Sequence, residues 1–311
     1  MIATDYTGRL GNQLFTYAFT RSLIAHRNDI DDELVANFKR SSAGKAEEGF
    51  EDSLRFFNVL PYKNESTTDL VLSYGSLWQR LLYLFYMLCC RLPLLGHSDN
   101  LMTVIERRLD HFGLFFTGAA DAARPLPKLS QKNIFIRGYF ADRTYFDNIR
   151  SLLLEELTPK ESPLPHNQAL YIAAAHKNSV CVSVRRGDYL SVEYKKNFYV
   201  CDENYFHRAI SKIRDLVENP VFIFFSNDID WVRSHLHVDN VPCYYESGTD
   251  PSWEVLRLMY SCHHFIISNS TFSWWAQYLG RHDDKIVISP HRWFANPQWH
   301  SNLIDDSFIK I

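Results

Sequence analysis

The stretch "VFIFFSNDIDWVRSHL", residues 221–236, carries the reading from which the rest of the fold follows. Val221 to Phe225 are apolar without interruption, which predicts a strand. Ser226, Asn227 and Asp228 close that strand, and "DWVRSHL" has the spacing of a short helix. Working outward, "SVCVSV" (179–184) predicts a strand and "ENYFHRAISKIRDLVEN" (203–219) a helix. "VPCYY" (241–245) predicts a strand and "PSWEVLRLMYSC" (251–262) a helix. "HFIIS" (264–268), "TFSWWAQYLG" (271–280) and "KIVIS" (285–289) follow as strand, helix and last strand. This alternation is that of an α/β domain, a parallel sheet with helices on both faces. Ligands of such sheets bind beyond the carboxyl ends of the strands, and each polar motif of this half falls there.

The first half is less regular. It predicts a helix over about 12–27, a buried helix over the apolar run 81–90, a strand over 133–140 and a helix over 144–157. The stretches 39–49 and 159–167 are polar and turn-rich. The second divides the 311 residues into domains 1–158 and 168–311, in keeping with roughly 150 residues per domain.

Composition narrows the function. Apolar residues make up 46% and charged residues 22%, enough for ample core, and the formal net charge of −3 argues against a nucleic-acid binder. The six cysteines show no C-x-x-C pair and no zinc-like spacing with histidine, so reduced thiols in a cytoplasmic protein are expected. "MIATDYTGRLGNQ" lacks the charged and apolar regions of a secretory signal. The segment 76–96, "SLWQRLLYLFYMLCCRLPLLG", has an unbroken apolar core of only Leu81 to Cys90, short of the ~20 residues that a membrane span needs. Besides a buried helix, it can be read as a peripheral membrane-surface helix with arginines at its ends.

Four motifs sit at predicted strand ends. In "VSVRRGDY" (182–189) a buried strand runs into Arg185, Arg186, Gly187 and Asp188. Paired guanidinium groups suit phosphate, and Gly187 allows the turn that puts both on one side; the plain alternative is a solvated charge pair. "FFSNDIDW" (224–231) admits three readings. Asp228 and Asp230 could be a D-x-D pair holding Mg²⁺ or Mn²⁺, Asp228 could accept hydrogen bonds from a purine edge, or Ser226, Asn227 and Asp228 could simply cap a helix. "ISNSTFSWWAQYLG" (267–280) places Ser268, Asn269, Ser270 and Thr271 at a helix start, an anion site above a tryptophan-filled core. "ISPHRWF" (288–294) adds His291 and Arg292, with little weight. At the other end of the chain, "TGRLGNQ" (7–13) brackets Asn12 and Gln13 with Gly8 and Gly11, more polarity than a helix cap requires, as expected of a cleft wall.

Taken in order, "GRLGNQLFTYA", "FIRGYFADRTYF", "VSVRRGDY", "FSNDIDWV" and "SNSTFSWWAQYLG" closely resemble the bacterial branch of the α-1,2-fucosyltransferase family, over about residues 8 to 294. The resemblance implies a GT-B-like fold, two Rossmann-type domains facing a central cleft, with an N-terminal acceptor-side domain and a C-terminal GDP-fucose-binding one. It implies inverting, metal-independent transfer of L-fucose from GDP-β-L-fucose to the 2-hydroxyl of a terminal β-galactoside of a surface glycan, with no cofactor. On the matching positions Arg185 and Arg186 would bind the pyrophosphate. Ser270, Thr271 and Phe272, with Asn269, would line its other side, and Asp228 would read guanine. Asn12 and Gln13 match the G-N-Q element that meets the donor. Many relatives carry His where Ser183 stands here, so a ring contact to the donor is lost and a hydroxyl remains. Asp188 is the candidate base for the acceptor hydroxyl.

Overall fold

The computed structural model describes residues 1–27, 33–39, 50–65, 69–92, 99–117 and 124–311. They form two compact units, Met1–Leu157 and Thr158–Ile311, each built on a parallel sheet with helices.

In the first unit the strands are β1 (Ile2–Asp5), β2 (Leu34–Asn37), β3 (Lys63–Asn64), β4 (Leu114–Phe116) and β5 (Ile134–Arg137), in the order β3-β2-β1-β5-β4. The helices described are α1 (Leu10–Arg27), α2 (Leu70–Tyr74), α3 (Leu77–Arg91), α4 (Asp99–Asp110) and α5 (Arg150–Glu156). The helix expected over 144–157 is instead two 3-10 turns, Arg143–Tyr145 and Asp147–Ile149, leading into α5. Asp142 starts the first turn early, its carboxylate accepting from the Thr144 N–H at 2.9 Å. The polar stretch 39–49 lies, beyond Lys39, outside the described residues.

The run 81–90 is helical but it is not buried. α3 turns Gln79, Tyr83, Tyr86 and Cys89 inward and leaves Leu81, Leu84, Phe85 and Leu88 exposed. An apolar run without polar interruption shows that a helix has a large apolar surface; it does not show which side the protein covers.

In the second unit the strands are β6 (Ser179–Val184), β7 (Val221–Ser226), β8 (Cys243–Tyr245), β9 (His264–Ile266), β10 (Val287–Ser289) and β11 (Ile309–Lys310). Their order is β11-β10-β9-β6-β7-β8, and every described pairing is parallel. The helices are α6 (Gln168–Ala174), α7 (Val192–Phe198), α8 (Glu203–Leu216), α9 (Ile229–His235), α10 (Ser252–Tyr260) and α11 (Thr271–Leu279). The strand expected over 285–289 is thus followed by another, β11, whose two residues pair with Ile288 and Ser289.

β6 is buried along its whole length, which is why its sequence shows no alternation of polar and apolar positions. Val180, Val182 and Val184 pack with Phe222 and Phe224 of β7 and with Phe206 and Ile213 of α8. Trp274 and Trp275 fill the interior beside α11, at right angles to each other with ring centres 5.3 Å apart. The chain goes outward from β6 to β7 and β8, then crosses back to β9 on the other side of β6. Loops leaving β6 and β9 therefore diverge, and a crevice opens beyond their carboxyl ends.

Candidate active site

The crevice of the second unit is framed by three loops, one each after β6, β7 and β9. After β6 come Arg185 and Arg186, then a 3-10 turn from Gly187 to Leu190. Gly187 has φ +30°, and a Cβ there would collide with the Asn227 side-chain amide. That close approach lets the Asn227 carbonyl oxygen accept from the Arg186 backbone N–H at 3.1 Å. The β6 and β7 loops are thereby pinned together.

Each arginine has a carboxylate partner. Arg185 Nη2 is 2.7 Å from Asp188 Oδ1, and Arg186 Nε is 3.0 Å from Asp228 Oδ2. Arg186 also lies over Trp231, its guanidinium carbon 3.6 Å from the ring centre. A planar cation held over a ring face and bonded at its Nε has little freedom left, so its Nη groups point in a fixed direction. Asp228 serves two partners: Oδ2 takes Arg186, and Oδ1 accepts from the Trp231 N–H at 3.4 Å as the N-cap of α9. Of the three readings open for Asp228, the cap is realised. The exposed Asp230 follows within α9. Among the described residues, a group of three acidic and histidine side chains close enough to share a metal ion is His263, His282 and Asp284, away from these loops in the sequence.

The β9 loop supplies the other wall. Ser270 is the N-cap residue of α11 and makes no side-chain cap hydrogen bond. Ser270, Thr271 and Phe272 are half-buried at that helix start, where the backbone N–H groups and the helix dipole favour an anion. Tyr189 connects the walls: its hydroxyl donates to the Asn269 carbonyl at 3.1 Å, and its ring lies 5.6 Å from the Arg185 guanidinium. Burial pushes the Tyr189 hydroxyl up to about 12, so it stays a donor at neutral pH.

In this unit two residues expected to touch a ligand are turned into the protein. Asn269 is buried, and its amide donates to the carbonyls of Phe198 at 2.7 Å and Trp293 at 2.8 Å. Ser183 is buried too, its Oγ 2.6 Å from Ser273 Oγ, which in turn lies 3.0 Å from Ser268 Oγ. This chain of hydroxyls ties β6 to the β9 loop and the first turn of α11. Both residues fix the shape of the walls. His291 and Arg292 are exposed beyond β10.

The first unit has its own crossover, between β1 and β5, and "GRLGNQ" follows β1 there. Gly8 has φ +72° and packs against the Asn12 side chain. Asn12 is half-buried. Gln13 is fully buried: its Nε2 donates to the carbonyls of Gly8 at 3.0 Å and Glu51 at 2.8 Å, and its Oε1 accepts from the Ser53 N–H at 3.0 Å. Its amide holds the loop and is directed into the protein. Nearby, Arg137 of β5 pairs with Asp5 of β1 at 2.6 Å, a buried ion pair at the strand ends of this unit.

Tyr189 and Trp231 are the site residues that motif reading overlooked, and Asn227, read there only as a cap candidate, instead pins two loops. Asn227 and Trp231 lie inside the quoted "FFSNDIDW"; the signal was present, but a lone ring beside a cap reads as core.

Several proteins resemble this chain. The O-antigen biosynthesis glycosyltransferase WbnK of Escherichia coli is 34% identical over 193 residues, 59% of this chain and 63% of that protein. An alpha-1,2-colitosyltransferase of Escherichia coli is 33% identical over 171 residues, 53% of this chain and 57% of its own length. Galactoside alpha-(1,2)-fucosyltransferase 1 of Saimiri boliviensis boliviensis is 29% identical over 202 residues, 62% of this chain and 50% of that one. The chain therefore spans between half and just under two thirds of these relatives. The stretch that holds the three loops lies inside a longer match, residues 120–308, to Glycosyl transferase family 11, and this chain belongs to that family.

Proposed function

We propose that this glycosyltransferase moves L-fucose from GDP-β-L-fucose to the 2-hydroxyl of a terminal β-galactoside, with inversion to an α-1,2 linkage. The observation that carries the reading is the loop after β6, where Arg185 and Arg186 are each held by a carboxylate at the crossover of the sheet. The resemblance to enzymes named for α-1,2 transfer supports the linkage.

In this reading the acceptor oxygen attacks the anomeric carbon from the face opposite the pyrophosphate. The bond from that carbon to the phosphate oxygen breaks, and GDP departs with the electron pair. Negative charge grows on the departing phosphate as the bond lengthens. Arg185, the Nη groups of Arg186 and the N-terminus of α11 stabilise it, and a donor of this kind contributes on the order of 10²–10³ in rate. Asp188 takes the acceptor proton. These cationic groups make a metal ion dispensable, and Asp228, engaged by Arg186 and Trp231, acts as part of the frame and presents its edge to guanine.

The deciding experiment is calorimetric titration with GDP-fucose in EDTA, with GDP-mannose and UDP-galactose as controls, followed by turnover on a galactose-terminated oligosaccharide. Guanine-selective binding and turnover in EDTA support the reading. Binding restored only by Mn²⁺ would hand the site to Asp228 and Asp230. A second donor is favoured by a specific observation, the likeness to an alpha-1,2-colitosyltransferase. Colitose is L-fucose without its 3-hydroxyl, so GDP-colitose belongs in the same titration.

A further inference from the structure

α3 is built inside out for a surface helix. Its inner face is tipped with polar groups that are all engaged. The Tyr83 hydroxyl donates to Asp69 at 2.5 Å and the Tyr86 hydroxyl to Glu106 at 2.9 Å. Gln79 donates to the carbonyls of Phe112 at 2.9 Å and Asn133 at 2.8 Å. A capping box of Ser76 and Gln79 fixes the start of the helix. The outer face carries the large apolar side chains: Leu77 is 72% exposed, Trp78 71%, Phe85 53% and Leu88 57%, with Leu81 and Leu84 between them.

These positions follow the helical repeat and make one stripe along a 15-residue helix, about 22 Å long. Leu101 and Val104 of the neighbouring α4 are exposed as well. A lone exposed leucine is ordinary, but a contiguous apolar face of this length marks an interaction surface. Since Tyr83, Tyr86 and Gln79 already anchor the helix, the fold does not require this stripe.

The charges around it say what covers it. Arg80 and Arg91 are the charged residues of α3, and Arg107 and Arg108 are exposed on α4. Glu106 and Asp110 of α4 face inward, to Tyr86 and to Arg124. A second copy of the chain would bring arginines against arginines. An anionic bilayer surface offers hydrocarbon to the stripe and phosphate to the arginines, whose long stems reach the headgroups. No helix among the described residues is long and apolar enough to cross a membrane. We infer that the outer face of α3 seats the protein on an anionic lipid surface, with the helix lying in the plane of the interface.

The test is co-sedimentation of the full chain with vesicles of phosphatidylcholine, alone or mixed with phosphatidylglycerol. Binding should be strongest on the mixed vesicles and weaken with salt. The double variant Trp78→Ser, Phe85→Ser should bind at least about tenfold more weakly at an unchanged melting temperature, as expected for losing two inserted apolar side chains. Leu77→Ser with Leu88→Ser repeats the test at the two ends of the stripe, and Arg80→Glu with Arg91→Glu should remove the preference for phosphatidylglycerol. No binding to mixed vesicles, or equal binding by wild type and stripe variants, overturns the inference. So does a stable dimer, seen by light scattering, that the Trp78→Ser, Phe85→Ser variant dissolves, for then a second copy covers the face.

Discussion

Arg186 rests on Trp231: its guanidinium carbon is 3.6 Å from the ring centre, and the next contact of the same group is the 3.0 Å bond from Nε to Asp228. The ring and the carboxylate both come from the β7 loop and α9, whereas the arginine comes from the β6 loop. Two adjacent strand ends are needed to aim one cation.

Trp231→Ala should therefore loosen donor binding without removing any charge. A cation held over a ring is worth about 0.5–2 kcal/mol, so GDP affinity by calorimetry is expected to fall by roughly 2–30-fold. Trp231→Phe keeps a ring face and should recover most of that loss. Unchanged affinity in the alanine variant would show that Asp228 alone aims Arg186.

Arg185→Ala should lower kcat by on the order of 10²–10³. The melting temperature should hardly move, because the partner Asp188 is 41% exposed and a pair of that kind contributes little to folding. Steady-state kinetics and a thermal melt of the same preparation check both halves. A variant retaining more than about a tenth of the wild-type rate would remove Arg185 from the leaving-group site.

Asp188→Asn separates two roles that the geometry joins. A lost base lowers kcat by roughly 10²–10⁴ and erases the fall of activity at acid pH, since a carboxylate must be ionised to accept the proton. A lost positioning partner for Arg185 raises the KM for the donor and leaves the pH profile in place. The expected result is the first, read from kcat against pH for both proteins.

Trp274→Ala should act on stability alone. The ring is buried, stacks on Tyr278 at 4.8 Å, and donates from Nε1 to the Leu303 carbonyl at 2.9 Å. Its removal should cost about 3–5 kcal/mol in denaturant titration. A stable variant with no activity would instead place Trp274 in the site.

The second half of the chain was readable because β6 and β7 are buried almost throughout, so "SVCVSV" and "VFIFF" had few other interpretations. β11 could not be read: Ile309 and Lys310 carry no pattern, and only the parallel edge of β10 makes them a strand. At the site, the residue types at strand ends were legible and their directions were not. Asn269 and Gln13 are polar residues at loop positions that suit a ligand, yet their amides bind backbone carbonyls inside the protein. An amide that shapes a loop and one that faces a ligand are written with the same letter. For α3 the ambiguity was of the same kind, a strongly apolar surface with nothing local to say which side would be covered.

The chain of hydroxyls from Ser183 through Ser273 to Ser268 also limits how this protein can change over generations. A histidine at 183 would thrust a ring into the space where two serine oxygens now meet at 2.6 Å. A lineage acquires that ring only if the residue at 273 yields as well, by a smaller side chain or by a shift of the helix start. Positions 183 and 273 are separated by 90 residues in the chain, yet they should be inherited as one locus.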